Sequence, residues 1–134
     1  MTNGKTITIA NVMTKSVISV DVTITVNEAA KMMEDAKVGA VIVMENNLPV
    51  GIVTDRDFSV KVVSHAYQIT APVKQIMSSP LISINSDETV RMAADLMHDR
   101  RIRKIPVIDD GKVVGIITAT DIVNLLAVSV EEDM

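Results

Sequence analysis

Residues 51–57 read GIVTDRD, and residues 115–121 read GIITATD, 64 positions further on. The same shift aligns Met13 with Met77, Ile18-Ser19 with Ile82-Ser83, Thr25-Val26 with Thr89-Val90 and Ala29-Ala30 with Ala93-Ala94, with no insertion between them. A register kept over so long a span marks a duplicated unit. What one copy folds into, the other must be able to fold into as well.

Each copy carries the same sequence of signals. SVISV (16–20) and PLISI (80–84) read as short strands rich in β-branched residues. Val26, Ala29, Ala30 and Met33 fall at i, i+3, i+4 and i+7, as do Val90, Ala93, Ala94 and Met97, which is one face of a helix. Ser86 or Asp87 is the expected N-cap of the second of these. GAVIVM (39–44) and KIPVI (104–108) then predict strands. Turns at Asn46-Asn47 and Asp110-Gly111 return each chain into a second strand, giving a hairpin. A last helix is expected from Asp55 to His65, and from Ala119 through the NLLA at 124–127. The order is β-α-β-β-α twice, with repeats at 8–65 and 72–128 and a connector at 66–75 punctuated by Pro72.

Composition excludes several classes of function. The 134 residues are 48% hydrophobic, but the apolar runs are strand-length, well short of the roughly 18–20 residues of a membrane span. No charged-then-apolar leader precedes a cleavage site, and cysteine is absent, so a reducing cytoplasm is the expected location. One Tyr, one Phe, no Trp and a net charge of −4 argue against nucleic acid, whose binders neutralise phosphates and stack bases on aromatic rings. Nine methionines suit adaptable packing. His65 and His98 stand alone, and there is no P-loop and no Ser-His-Asp arrangement. No metal, cofactor or catalytic activity is expected.

The repeated turn, glycine, two apolar residues, threonine, then aspartate three residues on, supports two chemistries. Threonine and an acid at that spacing form a capping box, each side chain satisfying the other's backbone N–H. A strand handing over to a helix N-terminus also suits an anion. A carboxylate placed there offers two acceptor oxygens to a pair of hydroxyls. One basic cluster, HDRRIRK at 98–104, ends the second amphipathic helix, where cations favour the helix dipole.

The tandem arrangement, the order of elements and the Thr-x-x-Asp at each strand end resemble a pair of CBS domains, a Bateman module, over residues 8–127. With little chain left over, it resembles a stand-alone module. The resemblance implies an α/β (α+β) fold of two CBS repeats packed as a pseudo-twofold pair. It implies a non-catalytic sensor that binds an adenine nucleotide (AMP, ADP, ATP or a related adenosyl ligand) in the cleft between the repeats. Asp57 and Asp121 would hold ribose, with Thr54, Arg56, Thr118 and Thr120 beside them. The base slot of the Asp121 site would come from Ile24, Ala29, Val38, Gly39 and Ala40. Arg103 and Lys104 would face phosphates, as in relatives resembling the regulatory subunit of AMP-activated protein kinase. The Asp57 site would be opposed by Glu88, Ala93, Ile102, Arg103 and Lys104, which makes it the weaker of the two. A homodimer built through the last helices and an effector protein that reads its state are implied as well. The contrasting expectation is an interaction module whose ligand sites no longer function.

Overall fold

The structure, a computed structural model, describes residues 6–133, with side-chain environments through residue 128. The first copy contains β1 (Ser19–Asp21), α1 (Val26–Ala36), β2 (Ala40–Glu45), β3 (Leu48–Thr54) and α2 (Asp55–Asp57), which runs on as π-helical turns over Phe58–Ser64. The second contains α3 (Val90–Arg100), β4 (Lys104–Asp109), β5 (Lys112–Thr118) and α4 (Ala119–Asp133). Single 3-10 turns precede them at Ile9–Asn11 and Val73–Gln75. The helix expected over 55–65 is therefore α-helical for its first residues and π-helical beyond them.

Thr25 and Thr89 start the two amphipathic helices. Each has an extended backbone, and its hydroxyl accepts the N–H of Glu28 at 3.1 Å or of Met92 at 3.0 Å. This corrects the expected cap at Ser86 or Asp87. Ser86 is committed elsewhere, its N–H and hydroxyl both donating to Asp109 at 2.9 and 2.6 Å. The helices end at Lys37 and Arg101, both left-handed with φ 56°, a conformation that stops a helix by turning the chain out of it.

The hairpins form where the turn residues tolerate positive φ. Asn46 and Asn47 have φ 52° and 64°, Asp110 and Gly111 50° and 77°, the paired values that a tight two-residue turn requires. Even the bulges match across the repeat, at Val43/Met44 and Val107/Ile108.

The copies differ at their first strand. β1 pairs in parallel with β2, and Ile42 donates its N–H to Ile18 at 3.0 Å. The position equivalent to Ile42 is Pro106, which has no N–H to give. PLISI consequently keeps only the single bridge Ile84 to Val107 and is not a strand. The first copy has a three-stranded sheet, β1-β2-β3, and the second a two-stranded one, β4-β5.

Two compact units result, one of residues 16–82 and one of the chain up to Lys15 together with the chain from Ser83 onward. The first has its core in Val20, Val22, Val26, Ala29, Met33, Val41, Val43 and Val53, completed by Val73 and Ile76 from the segment after the first copy. The second packs Ile84, Ala93, Met97, Ile105, Val107 and Ile117 around Ile9 from the segment before it. Ile9 and Val73 are 64 residues apart. The first unit thus uses the 3-10 turn that follows its own copy, and the second uses the one that precedes the first copy.

Candidate functional site

Both Thr-x-x-Asp turns are held from below by these leading segments. Thr14 bridges to Ile116 on β5, and Ser78 bridges to Ile52 on β3. The approach is close because Gly115 and Gly51 have no side chain. A Cβ on Gly115 would lie 2.8 Å from the Met13 sulfur and 2.8 Å from the Thr14 carbonyl oxygen, and one on Gly51 2.6 Å from the Met77 sulfur. The glycine of the repeated phrase is there to admit a neighbouring backbone.

At the end of β5 the expected capping box is formed. Thr118 donates its N–H to Asp121 Oδ2 at 2.9 Å, and Asp121 donates its own N–H to the Thr118 hydroxyl at 3.1 Å. The Thr14 hydroxyl donates across the Asp121 carboxylate, at 3.1 Å to Oδ1 and 3.3 Å to Oδ2. These donors are neutral and Asp121 is half-buried. Its carboxylate can exchange the neutral Thr14 hydroxyl for the hydroxyls of a ligand.

Asp57 has the same backbone setting and a different electrostatic one. Thr54 donates its N–H to Asp57 Oδ2 at 2.9 Å, closing the equivalent box. On the other oxygen, Oδ1, Lys61 Nζ sits at 3.3 Å and the Ser78 hydroxyl donates at 3.3 Å. Lys61 also donates to the carbonyl of Ile76 at 2.7 Å. Asp57 is 7% exposed, the one buried charged residue among the described residues.

The other expected site residues are distributed over both units. Arg103 is exposed, and its carbonyl accepts the N–H of Ala119 at 2.8 Å, while Lys104 pairs with Thr118 across the β4–β5 ladder. Thr120 is exposed on the first turn of α4. Gly39 and Ala40 stand at the equivalent positions of the first copy, where the Gly39 carbonyl accepts the N–H of Asp55 at 3.1 Å and Ala40 pairs with Thr54. Arg56 is exposed, Ile24 and Val38 are half-buried, and Ala29 is fully buried in the core. The structure therefore gathers Thr118, Thr120, Asp121, Arg103 and Lys104 in one unit, and Thr54, Arg56, Asp57, Ile24, Ala29, Val38, Gly39 and Ala40 in the other.

Three residues in contact with the aspartates are absent from the sequence-based expectation: Thr14, Ser78 and Lys61. The repeat itself pointed to the first two, since Thr14 and Ser78 follow the aligned Met13 and Met77. For Lys61 the signal was a mismatch, because Leu125 stands 64 residues on.

Among the described residues no group of His, Cys, Asp and Glu side chains is arranged to hold a metal, and no helix is long and apolar enough to cross a membrane. A recess of about 400 Å³ beside α3 is lined in part by Glu88, Asp95 and Asp99 and includes no residue of either turn. Its acidic lining disfavours phosphate.

Comparison with known proteins places both copies. The model of the CBS domain matches residues 9–63 and again residues 73–128. The CBS domain-containing protein YhcV of Bacillus subtilis is 32% identical over 114 residues, covering 85% of this chain and 81% of the relative. The CBS domain pair of protein MJ0100, solved in complex with 5′-methylthioadenosine and S-adenosyl-L-methionine, superposes with a TM-score of 0.84 at 28% identity, covering 93% of this chain and 99% of that one. A hexameric CBS-CP12 protein from bloom-forming cyanobacteria superposes with a TM-score of 0.84 at 31% identity, covering 91% and 73%.

Proposed function

This chain belongs to the CBS domain family, and we propose that it is a non-catalytic regulatory module that binds an adenine nucleotide, or a related adenosyl ligand, through Asp121. The observation that carries this reading is the state of the Asp121 carboxylate. It is oriented by the Thr118 N–H at the start of a 15-residue helix, and it is otherwise engaged by a neutral, exchangeable hydroxyl. A ribose diol supplies two hydroxyl donors to such an acceptor. Hydrogen bonds to a charged group contribute more than neutral ones. Arg103, exposed beside the first turn of α4, and Lys104 next to it are the cations proposed for phosphate. The adenosyl compounds bound by the MJ0100 pair support the ligand class.

A homodimer is part of the same proposal. Val123, Leu126 and Val128 on α4 are 61%, 59% and 52% exposed, which favours cover by a second copy. Light scattering across micromolar concentrations should give twice the chain mass. An effector protein would read the liganded state.

Thermal melting against AMP, ADP, ATP and S-adenosylmethionine tests the ligand. A ligand bound by the native state alone stabilises it by RT ln(1 + [L]/Kd), about 2.7 kcal/mol at a hundredfold excess over Kd. A melting temperature unmoved by all four would instead assign the chain to protein-protein interaction.

A further inference from the structure

The two aspartates share a motif and a capping box, yet a cation sits on one of them. Lys61 lies four residues after Asp57, on the same side of its helical turns, and its ammonium group bridges Asp57 Oδ1 at 3.3 Å to the Ile76 carbonyl at 2.7 Å. The matching residue after Asp121 is Leu125. We propose that Lys61 is an internal counter-cation that removes Asp57 from ligand binding, so that the residue at this position decides which aspartate serves as a site and limits the chain to one ligand. The inference rests on the ligand reading above and adds its stoichiometry and a specificity-determining residue.

The chemistry follows from what each carboxylate must give up. At Asp121 a ribose displaces one neutral hydroxyl donor, Thr14, which is exposed and returns to water. At Asp57 both oxygens are engaged, Oδ2 by Thr54 and Oδ1 by Lys61 and Ser78. A ligand there must displace a contact in which both partners are charged, the Lys61 ammonium on the Asp57 carboxylate. It must also do so at a carboxylate only 7% exposed, where a lost partner is not replaced by bulk water.

The lock should be transferable, because its acceptors exist in both units. The carbonyls that hold Lys61 belong to Ile76 and Met77, and their counterparts by the 64-residue shift are Val12 and Met13. The two segments have the same local hydrogen bonds. Met13 and Met77 donate to Ile9 and Val73, and Thr14 and Ser78 donate to Ile116 and Ile52. A lysine at 125, four residues after Asp121 as Lys61 is after Asp57, would have the Val12 and Met13 carbonyls and the Asp121 carboxylate as its counterpart acceptors.

Isothermal titration with AMP, ATP and S-adenosylmethionine decides the matter, using the full chain and four proteins. The wild type should bind one ligand per chain, and Asp57→Asn should bind it with affinity changed less than threefold. Leu125→Lys should weaken binding at least tenfold, whereas Leu125→Met, which keeps the apolar character, should not. Should Leu125→Lys fail to melt cooperatively, the Asp57→Asn stoichiometry decides alone. Two ligands per wild-type chain with one lost in Asp57→Asn, or a Leu125→Lys variant that binds as tightly as Leu125→Met, overturns the lock and leaves the ligand reading standing. No binding of any probe to the wild type removes both.

Discussion

Lys61 Nζ lies 3.3 Å from Asp57 Oδ1, one helical turn away, while Asp121, 64 residues on, accepts from the neutral Thr14 hydroxyl and Thr118 N–H. A repeat that keeps its Thr-x-x-Asp capping box has thus made its two copies chemically unequal. The inequality is an ionic contact in one unit that the other unit replaces with a leucine.

Asp121→Ala should weaken adenine-nucleotide binding by about 1.5–3 kcal/mol, the range for a hydrogen bond to a charged group. Asp57→Ala should weaken it less. Each substitution removes a capping acid, so comparable losses of stability in urea serve as the internal control. Equal losses of affinity in the two variants would refute the asymmetry.

Lys61→Met should destabilise the chain by about 1–3 kcal/mol, since it leaves a buried carboxylate with one donor fewer and frees the Ile76 carbonyl. Leu125→Met should be within about 1.5 kcal/mol of the wild type, as expected of a volume-conserving apolar exchange. Chemical denaturation of both variants measures the contrast, and similar midpoints would contradict it.

Gly115→Ala should cost about 1–3 kcal/mol, the usual penalty for forcing an extra methyl group into a packed position. The backbone carbonyl of Thr14, 2.8 Å from the added Cβ, cannot rotate away as the Met13 side chain can. The Thr14 hydroxyl should then leave Asp121, and hydrogen exchange should rise at residues 13–15 and 118–121. Unchanged exchange there would show that the segment adapts without releasing the carboxylate.

The Asp109 carboxyl is held below its ordinary value, first by the Ser86 hydroxyl and then by the Ser86 N–H. A lowered value in the folded state means the contribution is fully present above the ordinary aspartate value of about 3.9 and is lost as pH falls through the lowered one. Ser86→Ala should therefore be less stable than the wild type at neutral pH. The difference should shrink as the solution is acidified below about pH 4. A gap that stays constant down to pH 2 would assign the loss to packing instead.

Much of this was legible in the chain. The shift of 64 residues established the duplication, and the periodicity at Val26, Ala29 and Met33 and at Val90, Ala93 and Met97 located two helices whose named residues are all buried. Asn46-Asn47 and Asp110-Gly111 marked hairpins because few other residue pairs accept positive φ twice in succession. The capping boxes were readable because the bonds that make them span three residues. Local chemistry is written locally.

Contacts between distant parts of the chain were decided by the tertiary structure. Ile9 sits among residues 84–117 and Val73 among residues 20–53, because each core has a place that its own β-α-β-β-α copy does not fill. Nothing in the hydrophobic pattern of a segment says which of two equivalent cores will bury it. Pro106 removed a strand that PLISI otherwise promised, and it did so through a missing N–H opposite Ile82 rather than through any feature of PLISI itself. Lys61 is the sharpest case. In the sequence it is an ordinary cation on an amphipathic stretch, and only folding brings the Ile76 carbonyl and the buried Asp57 carboxylate to it. Sequence specified the carboxylates, and the fold determined which of them is left available, because the availability of a charge depends on what packs around it.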